Sequence, residues 1–160
     1  MAVDMFLKID SVKGEAQDRI HKDEIDVLAW SWGGTQSGTM RTGGGGGRVS
    51  IQDLSLTKWV DKASLVLFRY LATGMQFSEA KLTVRKAGGD SPLEYLVVTL
   101  KDVIITSLST GGSGGEDRLT ENISLNFASF QLSYQPQKQD GSADGAAMTF
   151  GWDIAANVPM

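Results

Sequence analysis

The 160-residue chain contains no cysteine. Disulfide frameworks, thiolate metal sites and thiol nucleophiles are therefore excluded, and the fold has to hold by packing. Histidine occurs once, as His21, beside Lys22, Asp23 and Glu24. With one imidazole and no thiol, metal ligation by nitrogen or sulfur has almost no support, and His21 reads as a solvated surface residue. Ser113 lies among glycines, but the segment lacks the strand-turn-helix context of a nucleophile elbow. No stretch approaches the roughly 20 apolar residues needed to span a bilayer. The opening, with Asp4 and Lys8 flanking its apolar residues, has no basic region before an apolar run, so no Sec-type leader is expected. A basic excess is lacking too: 15 Lys and Arg face 19 Asp and Glu, a formal net charge of −4. That balance argues against a broad nucleic-acid surface.

Glycine is abundant, with 19 residues. Gly33-Gly34, the run 43–47, Gly88-Gly89, Gly111-Gly112 and Gly114-Gly115 read as turns. Neither longer run is a phosphate loop. Residues 43–47 lead into Arg48-Val-Ser-Ile, a strand start, and residues 111–115 lead into Glu116-Asp117, whose charges repel phosphate. Glu116-Asp117 and Glu24 with Asp26 read as solvated charges, not as an acid/base pair.

Between the turns the chain alternates with period two. Met5, Leu7 and Ile9 share one phase. Leu28, Trp30 and Trp32 are expected on a core face, with Val27, Ala29 and Ser31 opposite. Residues 95–107 are almost continuously apolar, the pattern of a strand covered on both faces. Ile123, Leu125 and Phe127 keep one phase and Phe130, Leu132 and Tyr134 the other, so a β-bulge is expected at Ala128-Ser129. Met148, Phe150, Trp152 and Ile154 form a last alternating strand, after a polar connection over 136–145. At about one domain's length, the chain is expected to bury roughly 70% of its unfolded surface.

One segment is helical in pattern. Residues 62–73 lie between Asp61, a good N-cap, and Gly74, a good C′ residue. Its apolar side chains occupy nearly every face, and a helix of that kind is normally buried all round. A small barrel covers only one side, so the face with Leu65, Phe68 and Tyr70 is expected to meet a neighbour. The small side chains Ala29 and Ser31 suit either close packing or a smooth wall along a channel, and Ser124 and Asn126 offer a second short polar face.

Four segments carry a family resemblance: 1–9, 25–33, 80–89 and above all Leu108-Ser-Thr-Gly-Gly-Ser-Gly-Gly-Glu-Asp-Arg-Leu-Thr-Glu-Asn-Ile-Ser-Leu-Asn-Phe127. The chain resembles, over its whole length, the haemolysin-coregulated protein (Hcp) family of type VI secretion. The resemblance implies a mainly β fold: a single domain over 1–160, a β-barrel of two antiparallel sheets with one flanking α-helix. It implies head-to-tail rings of six subunits stacked into an inner tube, with a spike protein, a contractile sheath and secreted effector proteins as partners, and no cofactor, metal or catalytic residue. No nucleic acid and no stable membrane association are implied. Pore-lining candidates are then Ala29, Ser31, Ser124 and Asn126. Thr35 and Arg48 in one loop, and Glu116 and Asp117 in another, are candidates for ring stacking. Synthesis in the cytoplasm, export without a signal peptide and the absence of a toxin fused after Met160 are expected. The competing expectation is a monomeric barrel or sandwich binding a small ligand or glycan, although Trp30, Trp32 and Trp152 lie in phase with core positions.

Overall fold

A computed structural model describes residues 3–38, 47–86 and 92–160. The turn at Gly88-Gly89 and most of the run 43–47 lie outside the described residues. Along the chain come β1 (Val3–Ile9), β2 (Ile25–Ser31), β3 (Gly34–Gln36), β4 (Val49–Ile51), β5 (Leu54–Trp59), α1 (Ala63–Thr73), β6 (Gln76–Lys86), β7 (Glu94–Gly111), β8 (Thr120–Tyr134), β9 (Met148–Asp153) and β10 (Val158–Pro159). The fold is mainly β, as expected.

The strands form two antiparallel sheets, and the larger runs β10-β9-β8-β5-β2-β1-β6-β7. Because β7 returns to pair with β8, the six strands β8, β5, β2, β1, β6 and β7 close into a barrel. Closure leaves these six without a free edge, the liability of open sheets. Strands β9 and β10 extend from the far half of β8, and β3 and β4 form a separate hairpin. Among the described residues, the side chains of Leu7, Ile9, Ile25, Leu56, Leu82, Leu100, Ile123 and Leu125, none more than 2% exposed, fill the barrel interior.

Two phase expectations are corrected. In β2, Ile25 and Val27 face the core whereas Leu28 is exposed; a register shift between Val27 and Ala29 then returns Trp30 and Trp32 to the core side. The extra residue of a β-bulge reverses the alternation, so Leu28 does not share a face with Trp30. In β8 the phase does change, with Ser129 and Phe130 both buried, but its pairing with β7 and β9 continues unshifted there. The register shift lies on β7, between Ile105 and Ser107. What changes along β8 is its neighbour: β5 as far as Leu125, β9 from Ser129. Phe130 thereby meets Trp32 edge-on, with ring centres 4.8 Å apart.

The helix starts from a reciprocal cap. Asp61 Oδ1 accepts the Ala63 N–H at 3.0 Å, and the Asp61 N–H donates to Ser64 Oγ at 3.0 Å. That satisfies donors the first turn leaves unpaired. Gly74 ends the helix at φ 68°, the left-handed conformation that glycine adopts without a Cβ clash. Packed against β7, α1 buries Ala63 and Leu67 completely, while Leu65 is 83% and Phe68 51% exposed.

Candidate functional site

The barrel's outer surface is treated in two opposite ways. Along β2, β5, β8 and β7 it is bare. Ser31 lies opposite Ser55, Ser55 opposite Ser124, and Ser124 opposite Ser107, a row of four serines across four strands. The next row is Ala29, Thr57, Asn122 and Ser109. Side chains link the strands: Thr57 Oγ1 donates to Asn122 Oδ1 at 2.7 Å, and the Ser107 and Ser124 hydroxyls are 2.6 Å apart. These groups line a shallow depression of about 270 Å³ that holds Ala29, Ser31 and Ser124 together. Asn126 lies on the same outer face but beyond the depression, where its Nδ2 donates to Asp53 Oδ1 at 2.8 Å. All four pore-lining candidates therefore share one wall of short, mostly uncharged side chains.

The register also sorts the stacking candidates. The C-terminal end of β2 lies beside the Leu54 end of β5 and the Leu125 region of β8, and there the chain continues into the β3–β4 hairpin with Thr35. Glu116 and Asp117 sit in the connection between β7 and β8, beside Trp59 and Thr120 at the other end of β5. The two candidate loops flank opposite ends of the wall. Thr35, Glu116 and Asp117 are exposed. Arg48 is exposed as well, but its Nη2 donates to the carbonyls of Ile154 (2.9 Å) and Ala155 (3.2 Å), tying the hairpin to the turn after β9. Residues 39–46 of that loop lie outside the described residues.

On α1, Leu65 and Phe68 form an outward apolar face. Tyr70 does not share it: half-buried, it packs toward the core, with its ring 6.0 Å from that of Phe77. Two positions past Phe68, a residue is turned about 200° around the helix. A second exposed apolar area comprises Tyr134, Met148 and Phe150 on β8 and β9. Phe150 and Trp152 line, with Val49 and Ile51, a groove of about 230 Å³.

Along β1 and β6 the outer surface around Phe6, Thr83 and Arg85 is covered instead. Residues 11–24 fold back on themselves through bonds from Gly14 N–H to Asp23 O (2.7 Å) and from Ala16 N–H to Glu24 O (2.9 Å). A Cβ at Gly14 would stand 2.5 Å from the Glu24 carbonyl oxygen, so glycine permits the close return. Under this strap Phe6 carries the His21 ring stacked at 4.5 Å, and the Arg85 guanidinium lies 5.0 Å from its centre. His21 is 6% exposed, which corrects the expectation of a solvated residue. Its Nδ1 lies 2.9 Å from Glu24 Oε2, and its Nε2 3.2 Å from Glu94 Oε2. Arg85 bonds Asp18 through both terminal nitrogens, and those bonds hold the Asp18 carboxyl down at about 2. Neighbouring charges in sequence made His21 look solvated; a return of the chain over β1 buried it.

A further charged group escaped notice. Lys58 Nζ, fully buried, contacts Glu121 Oε1 and bonds Asp61 Oδ1 at 3.0 Å, Ser64 Oγ at 3.2 Å and the Trp59 carbonyl at 2.9 Å. Its signal was in the sequence: Lys58 follows Leu54 and Leu56 in phase, and Glu121 precedes Ile123 and Leu125. This satisfied network is structural in geometry, because Ser64 Oγ donates to Glu121 and the Lys58 ammonium is taken up by buried partners.

A solid barrel whose bare wall, exposed helix face and end loops all point outward defines an assembly subunit rather than a ligand-holding cup. The model of the family "Type VI secretion system effector, Hcp" matches residues 6–134, and the chain belongs to that family, the type VI secretion tube proteins. It is similar to Protein hcp1 of Pseudomonas aeruginosa, 59% identical over 160 residues that cover 99% of each chain. Among solved structures, Hcp1 from Salmonella typhimurium is 39% identical, with a TM-score of 0.83 and full coverage of both chains. A type six secretion system protein aligns at 32% identity and a TM-score of 0.91, covering 99% of this chain and 100% of the other. The family implies secretion, and among the described residues no helix is long and apolar enough to cross a membrane.

Proposed function

We propose that this chain, acting over 1–160 as one domain, is the repeating unit of an inner tube in which six copies surround an open pore. Rings stack end to end, are expelled by a contractile sheath beneath a spike protein, and carry effector proteins in the pore. The subunit works by assembly and not by catalysis; any toxic chemistry belongs to its cargo. The observation that carries this reading is the bare wall of β2, β5, β8 and β7. Sequence places small neutral side chains on four adjacent strands, and those side chains bond to one another while remaining open to solvent. Such a face suits loose contact with many cargo surfaces, because its two rows do not grip with large apolar groups. The exposed Leu65 and Phe68 support a subunit contact, since solvent exposure of large apolar side chains on a helix is relieved by burial against a neighbour. Thr35 and Arg48 at one end of the wall, and Glu116 and Asp117 at the other, suit contact between successive rings.

The test is the solution mass of the purified protein with negative-stain images of the same sample. Six chains of 17.2 kDa give about 103 kDa, and open-centred rings are expected. A monodisperse monomer across a concentration series would overturn the reading and favour a module binding a small ligand or glycan. Within rings, a bulky cation in place of Ser31 is expected to abolish cargo retention without preventing ring formation.

A further inference from the structure

The two rows of the wall carry no charged side chain, Glu116 borders Ser109 and Asn122 at one end, and Asp53 stands at the other. Asp53, immediately before β5, turns to the same outer face as Ser55 and Thr57. Its Oδ2 accepts the Thr106 hydroxyl at 2.7 Å, and its Oδ1 accepts the Asn126 amide at 2.8 Å. The donors come from β7 and β8, so the carboxylate is held by two strands other than its own. Both donors are neutral. The carboxylate is thus fixed in direction while its charge is left uncompensated by either partner, and it is half-exposed. Thr106 Oγ1 also lies 2.7 Å from Ser124 Oγ, so Thr106 links Asp53 to the serine row.

We infer that Asp53 is the residue that selects cargo by charge, favouring protein segments rich in lysine or arginine and disfavouring acidic ones. This rests on the pore reading above. Repeated once per subunit around a ring, Asp53 forms a girdle of carboxylates near the end of the wall that carries Thr35. Rings of acidic side chains are a general means of favouring cations in a pore, and low-dielectric walls concentrate their field. The neutral hydroxyls and amides along the rest of the wall supply hydrogen bonds without opposing that preference. A carboxylate already oriented by two donors loses little side-chain entropy when a cationic group meets it.

The experiment uses assembled rings of the full chain and two labelled peptides, one alternating lysine with serine and one alternating glutamate with serine, read by fluorescence anisotropy. Asp53→Asn keeps the size of the side chain and an acceptor oxygen for Thr106, and the Asn126 amide turns its oxygen toward the new NH2. Asp140→Asn makes the same charge change in the exposed 136–145 connection, away from the wall. Wild-type rings are expected to prefer the lysine peptide, with binding that weakens as salt is raised. Asp53→Asn is expected to cost about tenfold in that affinity, whereas Asp140→Asn leaves it unchanged. Equal losses in both variants would reduce the effect to net charge and overturn the inference. So would intact rings of Asp53→Asn that keep the full preference, or wild-type rings with no preference. Failure of the wild-type chain to form rings is a different result: it removes the assembly reading itself.

Discussion

The two outer faces of this barrel are built from the same alternation and end in opposite states. On β1 and β6 the outward residues Phe6, Thr83 and Arg85 are buried, because residues 11–24 lie across them and bring His21 and Asp18 into contact. On β2, β5, β8 and β7 the two rows from Ser31 to Ser107 and from Ala29 to Ser109 are short, neutral and open or half-open to solvent. A face that is sealed with an aromatic ring, a guanidinium and carboxylates contributes stability. A face left bare with serines contributes little and remains available for contact. Where a protein declines to cover a sheet, the side chains there are free to be chosen for a partner.

Breaking the barrel's interior sets the scale for both faces. Lys58→Met leaves Glu121 buried with Asp61 and no cation between them, which is expected to cost about 3–5 kcal/mol, read from the denaturant unfolding midpoint. On the covered face, Phe6→Ala removes the ring between His21 and Arg85 and is expected to cost about 3 kcal/mol by the same measurement. A smaller effect there depends on pH. The folded Asp18 carboxyl titrates at about 2, below its ordinary value of 3.8. A depressed carboxyl contributes stability in full above the ordinary value and loses it as pH falls through about 2. Asp18→Asn should therefore lower the melting temperature at neutral pH, and its difference from the wild type should close between about pH 4 and pH 2. At the helix end, Gly74→Ala forces a Cβ into the left-handed region and is expected to cost about 1 kcal/mol. On the bare face, Ser31→Arg should change stability by less than about 0.5 kcal/mol while removing cargo from rings. A large loss of stability from Ser31→Arg would erase the contrast between the faces and make Ser31 a packing residue.

Much of this was legible from residues alone. Leu7 and Ile9, and Ile123 and Leu125, announced their faces by alternation, and Asp61 and Gly74 bracketed the helix within one residue. Ala29, Ser31, Ser124 and Asn126 were recognised as small or polar positions opposite core ones, and the register then placed them on one wall. Leu28 was misassigned because a bulge between Val27 and Ala29 depends on pairing with β5, which no local pattern reports. Tyr70 was grouped with Leu65 and Phe68 because an all-apolar helix does not say which side its own sheet will take. His21 looked like a surface residue for a similar reason: nothing local reports that its own segment folds back over β1.

The sequence by itself determined the β class, the helix with its caps and the absence of thiols, because these follow from residue types and near-neighbour periodicity, and the wording of four whole segments carried the family resemblance. Only the tertiary structure decided which outward faces are sealed and which are bare. It also joined Asp53 to Thr106 and Asn126, and Lys58 to Glu121. Those outcomes depend on barrel closure and strand register, which bring together residues whose separation along the chain carries no signal of their meeting.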